Sequence, residues 1–157
     1  MGSIDFAKET MFRTREAILK IVDSVDFETL NIIPEGFNNN LVWHFGHVVV
    51  TPQMLAYKNS GLPYTIDEVL VEKYRKGSKP EGKVSVEELD ILKKLLFETV
   101  ETLHETYKAG RFQTYNTVVT SLNVTLDSID KAIPYCAAHD NLHFGYMQAL
   151  KRVVCGR

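Results

Sequence analysis

Residues 85–107, SVEELDILKKLLFETVETLHETY, carry the clearest helical pattern of the chain. Their apolar residues recur at alternating steps of three and four, which places side chains on one face of an α-helix. Ser85 and Glu88 have the spacing of a capping box, which marks the start of a helix. The apolar face consists of Val86, Leu89, Leu92, Leu96, Val100, Leu103 and Tyr107. A helix with one apolar face has to bury it against other elements, so this stretch predicts a core built from several helices.

Three further stretches are predicted to be helical. The first covers about residues 5–25, and the second covers 41–57, after possible N-cap asparagines at 38–40 and before a C-cap at Gly61. The last covers about residues 126–154. Its inward stripe consists of Ile129, Ile133, Cys136, Asp140, His143, Met147, Leu150 and Val154. No stretch has a convincing strand pattern, so the sequence predicts an all-α fold, a four-helix bundle.

Two prolines fall inside the predicted helices. Pro52 removes a backbone donor from the second helix and its ring clashes with the preceding turn, so we expect a kink near Val48. Pro134 is expected to break the last helix near its start. Both prolines therefore affect the straightness of the predicted bundle.

Length and composition predict a single domain over residues 1–157. Hydrophobic residues make up 45% of the chain and charged residues 24%, as in ordinary globular proteins. The 18 basic and 20 acidic residues nearly balance, so the net charge of the chain does not favour binding to nucleic acid or to an anionic membrane. No apolar run approaches the roughly 20 residues that cross a bilayer. Cys136 and Cys155 lack the spacing of a disulfide framework, so we expect a cytoplasmic protein.

The sequence HDNLH, residues 139–143, places two of the five histidines four positions apart on the last predicted helix. Side chains at this spacing differ by only about 40° around the helix, so both rings can reach one point. A lone histidine in a core is more often a hydrogen-bonded residue than a ligand. A pair on an inward stripe favours a metal site, which needs a third imidazole and an open fourth position for catalysis.

The third ligand has several candidates. LVWHFGHVVV, residues 41–50, is apolar nearly all round, so its periodicity leaves the choice between His44 and His47 open. Cys136 is another candidate on the last helix, although a buried apolar role is commoner for cysteine. His104 lies off the main stripe of its helix and is expected to be exposed.

HDNLH also invites comparison with the zincin motif, with Asp140 in place of the glutamate base. Aspartate is one methylene shorter than that base, and residues 144–157 offer no histidine or carboxylate as a downstream ligand. A ligand from upstream is therefore favoured, which places the site between the second and last helices. The small residues Gly46 and Gly145 would let these two helices approach closely.

Three segments resemble the DinB/YfiT-like superfamily of metalloenzymes. They are LVWHFGHVVVTPQMLAYKNSGLP (41–63), KYRKGSKPEG (73–82) and AAHDNLHFGYMQALKRV (137–153). The motifs are Trp-x-x-Gly-His in the second helix and His-x-x-x-His followed by glycine in the last helix, and the similarity covers nearly the whole chain. This resemblance implies a four-helix bundle that is often a homodimer and acts on a small molecule.

The resemblance also implies a ligand set. It selects His47 over His44 and predicts that His47, His139 and His143 hold a divalent ion, with zinc or nickel as the expected metals. Related chains often carry glutamate at the position of Asp140 and asparagine at that of His44. The helix prolines Pro52 and Pro134 also depart from the common pattern. None of these departures removes a ligand.

Superfamily members with known activity are largely thiol-dependent, and a metal-bound thiol becomes a nucleophile at neutral pH. The expected function is therefore metal-dependent, S-transferase-like activation of a low-molecular-weight thiol. The alternatives are a hydrolase that uses metal-bound hydroxide and a non-catalytic metal-binding protein of stress responses. The basic segment 73–83 is either a lid for an anionic thiol or, slightly favoured, a solvated linker. Tyr57 and Tyr146 either orient substrate or, more commonly for aromatic residues, pack.

Overall fold

The computed structural model describes residues 2–156, which are mostly helical. The α-helices are α1 Ser3–Asp23, α2 Phe27–Leu30, α3 Leu41–Pro52, α4 Glu68–Tyr74, α5 Val86–Lys108 and α6 Ile129–Cys155. Beyond α3 the chain continues as a π-helical turn, Gln53–Tyr57, and a 3-10 turn, Lys58–Ser60. Two short strands, β1 Val118–Val119 and β2 Thr125–Leu126, pair as an antiparallel hairpin. The predicted all-α fold is confirmed, although the sequence pattern did not reveal this hairpin.

The four long helices α1, α3, α5 and α6 form the predicted four-helix bundle. Both α1 and α3 pack against α5 and α6, so each helix has two extensive neighbours. The short helix α4 packs on the outer side of α3. This arrangement places one face of α3 against α6, the two helices that carry the histidine motifs.

The core consists of two apolar clusters separated by a polar layer. One cluster includes Met11 and Cys136, and the other includes Ile18 and Met147. The buried residues of the layer between them are Arg15, Thr99 and Asp140. A charge inside a bundle needs a partner of opposite charge, because an unpaired buried charge is strongly unfavourable.

Pro52 is the last residue of α3, and the irregularity that it causes lies in the turn Gln53–Tyr57 rather than at Val48. Because proline has no N–H group, the Val48 carbonyl lacks its usual helical donor. Arg15 replaces that donor, with its Nη2 atom 2.8 Å from the Val48 oxygen. Gly61 ends the segment in the left-handed conformation, with φ of 69°, as the sequence predicts.

Pro134 does not break the last helix, contrary to expectation. Helix α6 is continuous over Ile129–Cys155 and contains Pro134 in its second turn. There the proline removes only the hydrogen bond to the Asp130 carbonyl, close to the helix start. The start itself lies later than predicted, because Leu126 belongs to β2 and is buried there.

The start of α5 agrees only in part with the predicted capping box. The Ser85 Oγ accepts a hydrogen bond from the Glu88 backbone N–H at 3.1 Å. The Glu88 carboxylate instead accepts from the Tyr74 hydroxyl and from Lys73 Nζ, the latter at 2.6 Å, and so fastens α4 to α5. Val86 is 53% exposed and does not share the buried face that the pattern predicts.

Candidate metal centre

The three histidines that the sequence analysis selects meet at one point between α3 and α6. The Nε2 atom of His139 lies 3.2 Å from His47 Nε2 and 3.1 Å from His143 Nε2. One nitrogen from each residue lies within 4.8 Å of the others. Two nitrogens that bind one tetrahedral zinc ion at about 2.0–2.1 Å are about 3.3 Å apart. The spacing of the three rings therefore fits a single shared ion.

Helix α4 fixes the orientation of His47. The His47 Nδ1–H donates to the Tyr74 carbonyl oxygen at 2.7 Å, which leaves the lone pair on Nε2 free to bind an ion. The Trp43 ring stacks on the imidazole, with centroids 4.7 Å apart and an angle of 12° between the planes. Backbone and aromatic contacts together hold the ring toward α6.

The two glycines beside the histidines do not act as expected. A Cβ atom at Gly46 would overlap the Tyr74 ring, so this glycine lets α4, rather than α6, approach α3. A Cβ atom at Gly145 would meet nothing within 4 Å in the described part of the chain. The expected close approach of α3 and α6 through these glycines is therefore wrong.

His44 lies beside the cluster and contacts one member. Its Nδ1 atom is 3.0 Å from His143 Nδ1, so one nitrogen donates a hydrogen bond to the other. With the proton on His143 Nδ1, the Nε2 atom of His143 is free to bind an ion. The Tyr146 ring packs over His44 at a centroid distance of 4.4 Å. In the sequence, His44 was a candidate only as an alternative ligand to His47, and no local pattern predicted its contact with His143.

The protein atoms alone do not satisfy these imidazoles. If His47 and His143 carry their protons on Nδ1, both Nε2 atoms are acceptors, and His139 Nε2 can donate to only one of them. Within residues 2–156, the buried atoms His139 Nδ1 and His44 Nε2 have no hydrogen-bond partner either, and an ion at the converging Nε2 atoms would not contact them. Three converging lone pairs are instead the donor set that a divalent ion requires, so the residues fit a metal.

Burial keeps the four imidazoles neutral. Desolvation, reinforced by the neighbouring rings, lowers the pKa of His143 to about 2, of His139 to about 3 and of His44 to about 4. Desolvation also lowers the pKa of His47, although the Tyr74 carbonyl opposes this change. Neutral rings carry free lone pairs, so an ion would displace few protons on binding at neutral pH.

A buried ion pair lies directly behind the cluster. The Arg15 Nε atom donates to Asp140 Oδ2 at 2.7 Å, and neither side chain is exposed. Arg15 Nη1 donates to the Leu96 carbonyl at 2.6 Å and to Thr99 Oγ1 at 2.8 Å. Together with its bond to the Val48 carbonyl, this arginine links α1 to α3, α5 and α6.

Asp140 binds Arg15 and does not face the three histidines. Burial raises the pKa of the Asp140 carboxyl, and the Arg15 guanidinium opposes this rise. The contact with Arg15 leaves this carboxylate unsuited to the part of a general base beside an ion, which argues against the zincin alternative. Because Asp140 directly follows His139, its ion pair with Arg15 holds the backbone next to a candidate ligand in place.

The remaining sequence candidates lie outside the cluster. Cys136 is buried in the core, which raises the pKa of its thiol and keeps it protonated. His104 is partly buried rather than exposed, and its Nε2 atom lies 2.9 Å from Asp5 Oδ1. Tyr57 is buried in an apolar cluster, and Tyr146 packs against a histidine ring, so both have packing contacts.

A cavity of about 320 Å³ opens beside the cluster and is bordered by His47 and His139. Apolar residues from the α3 segment and from β1 form much of its wall. They are Val50, Met54, Leu55, Val118 and Val119. The hairpin that the sequence pattern missed therefore forms part of the wall of this cavity.

Some basic side chains of segment 73–83 line this cavity, and others form ion pairs on the surface of the bundle. Arg75 and Lys76 line the cavity. Lys73 pairs with Glu88, whereas Lys83 pairs with a glutamate of α2. The segment is thus neither wholly a solvated linker nor wholly a cover for the cavity.

Fold and cluster together define a helical-bundle protein with a three-histidine candidate metal centre. A family model described as the DinB superfamily matches residues 11–147, which is most of the chain. The chain belongs to the DinB superfamily. A comparison with curated proteins finds no match. Within residues 2–156, no helix combines the length and the apolar composition that crossing a bilayer requires.

Proposed function

We propose that this protein is a divalent-metal-dependent enzyme that activates a low-molecular-weight thiol and transfers it to an electrophile. The observation that carries the proposal is the convergence of the Nε2 atoms of His47, His139 and His143 next to an open cavity. Three protein ligands with room for a fourth are typical of catalytic rather than structural metal sites.

The reaction follows from the donor set and the cavity. A divalent ion held by the three imidazoles would lower the pKa of a thiol that enters from the cavity, so that the thiol releases its proton to solvent. The sulfur then forms a bond to the electrophilic carbon, and the leaving group departs with its bonding pair. The apolar wall, which includes Val50 and Met54, excludes water from the nucleophile.

The residues around the ligands would keep them in place during turnover. Tyr74 holds the proton of His47 on Nδ1, and His44 pairs with the Nδ1 atom of His143. Such outer partners orient the ring and define its tautomer. Asp140 anchors the backbone next to His139 through Arg15.

Three imidazoles suit zinc or nickel, and these are the metals that we propose. We also propose a cytoplasmic homodimer that acts on a small molecule. The cytoplasmic location is supported by two free cysteines, Cys136 and Cys155. The homodimer is supported by the resemblance to superfamily members that are often dimeric.

The proposal is tested by metal analysis and a thiol panel. Protein purified without added metal is expected to hold about one zinc or nickel ion per chain, and His143→Ala is expected to lose it. With 1-chloro-2,4-dinitrobenzene as the electrophile, wild-type protein should release chloride only when a thiol is present. His104→Ala is the matched control, because this histidine lies outside the cluster and should retain metal and turnover.

Each contrary outcome has a distinct meaning. Thiol-independent cleavage of a reporter ester, lost in His143→Ala, would indicate the hydrolase instead. Bound metal without either activity would indicate a non-catalytic metal-binding protein. A metal content near zero that none of the three ligand substitutions changes would refute the proposal.

A further inference from the structure

We propose that the cavity beside the histidine cluster contains an anion-binding subsite formed by Lys58, Arg75 and Lys76. The substrate class that it selects is an amphiphilic anion, with an apolar body and a carboxylate or phosphate group. The inference rests on the proposed function for the assumption that the cavity receives the substrate. The subsite itself consists of protein side chains and does not require a bound metal ion.

The charge of the cavity differs from that of the chain. The whole sequence has a formal net charge of −2, whereas the cavity lining contains three cationic side chains and no aspartate or glutamate. The cations come from two separate segments, Lys58 from the turn after α3 and the other two from the end of α4. All three residues are exposed and line one cavity, so an anion bound there would interact favourably with each of them.

Ion pairing distinguishes the two lysines of the cavity from its arginine. Within residues 2–156, Lys58 and Lys76 form no ion pair, while Arg75 binds Glu72 at 2.6 Å. The nearby Lys73 binds Glu88, which attaches α4 to α5. Lys73 is thus held by a structural ion pair, whereas Lys58 and Lys76 are free to bind a ligand in the cavity.

The position of these cations suits a ligand that also reaches the histidines. Arg75 and Lys76 directly follow Tyr74, whose carbonyl oxygen binds His47. Lys58 lies farther along the α3 segment, roughly 16 Å from His47 along the axis if each residue rises by about 1.5 Å. Hydroxyl donors face the same cavity, from the hairpin residues Thr120 and Ser121.

The wall between the two ends of the cavity is apolar. Val50 and Met54 contribute from the α3 segment, and Val118 contributes from β1. A fully polar anion would leave this wall in contact with water, whereas an apolar body would cover it. The combination of wall and cations therefore selects an amphiphilic anion over inorganic phosphate.

The test uses 4-phenylbutyrate as the probe and neutral 4-phenylbutanamide as its matched analogue, measured by calorimetry on zinc-loaded and on metal-free protein. Wild-type protein should bind the carboxylate at least about tenfold more tightly than the amide, in both metal states and more weakly at high salt. The double variant K58Q/K76Q should lose about tenfold in affinity for the carboxylate while it keeps its zinc content. K79Q/K94Q removes two lysines that do not line the cavity and should bind as the wild type does.

The outcomes distinguish the subsite from the metal function. Equal affinity for carboxylate and amide, or an unchanged affinity in K58Q/K76Q, would overturn the subsite. Carboxylate binding that vanishes on zinc removal would also overturn it, because the probe would then be a ligand of the ion. Carboxylate binding that persists in metal-free protein and weakens in K58Q/K76Q would support the subsite even if the metal and thiol assays failed, so the two proposals can fail separately.

Discussion

Replacement of Arg15 by methionine should be the most destabilising single change at the polar layer. The variant R15M removes the guanidinium and leaves the Asp140 carboxylate fully buried, with no partner for either oxygen. Breaking a buried pair from one side costs about 3–5 kcal/mol, since the remaining charge is uncompensated. The Val48 carbonyl, which Pro52 already deprives of a helical donor, would also become unsatisfied.

Urea unfolding measures this loss directly. We expect R15M to lower the free energy of unfolding by about 3–5 kcal/mol, a large part of the stability of a domain of this size. The double variant R15M/D140L should recover most of the loss, because both charges are then absent. The matched control is R13M on the same helix, since Arg13 and Glu16 form an exposed pair that contributes little.

Two results would refute this reasoning. A loss below about 1 kcal/mol in R15M would mean that the buried carboxylate is accommodated without its partner. A double variant as unstable as R15M would assign the loss to packing rather than to the unpaired charge. Metal content measured on the same proteins should follow stability, because Asp140 and Val48 each come directly after a candidate ligand.

Three further predictions concern the cluster. Gly46→Ala should destabilise the protein by about 1–3 kcal/mol in urea, because its methyl group overlaps the tyrosine ring of α4, whereas Gly145→Ala should stabilise α6 by about 0.4–1 kcal/mol. His44→Ala should reduce zinc affinity about 10–100-fold in a chelator competition, since His143 loses its outer partner, while His104→Ala should not. Metal-free protein should lose stability as the pH falls below about 6.5, because the unfolded chain then protonates histidines whose pKa burial lowers in the folded state, to about 2 for His143. His143→Ala should show a shallower decline.

Each of these predictions has a clear contrary result. Equal effects of the two glycine substitutions would contradict the described contact with α4. Unchanged zinc affinity in His44→Ala would mean that His143 is oriented without its neighbour. A metal-free stability that is flat between pH 6.5 and 4 would contradict the lowered pKa values of the cluster.

Local patterns in the sequence were sufficient for the helices of the bundle. The steps of three and four in residues 85–107 define a face that is buried in α5 from Leu89 to Leu103. The pattern failed at the ends of elements, where Val86 is exposed and Leu126 belongs to a strand. Helix ends depend on caps and on tertiary contacts, so periodicity alone locates them poorly.

In the candidate site, too, local sequence patterns predicted some features, while others depend on contacts between distant segments. The i, i+4 spacing of His139 and His143 is a local property, and it predicted that the two rings can share a point. The choice of His47 came from the resemblance to the superfamily and not from periodicity. The contact of His44 with His143 joins residues on different helices, and no local pattern contained it.

By itself, the sequence determined an all-helical bundle, the pair of histidines on its last helix and a nearly even balance of basic and acidic residues. Only the tertiary structure decided that Asp140 binds Arg15, that Gly46 accommodates Tyr74 and that a hairpin lines the cavity. The physical reason is the separation along the chain of the residues that interact. Helical periodicity arises from neighbours three and four residues apart, whereas these contacts join segments that are distant in the chain and become definite only when the core is packed.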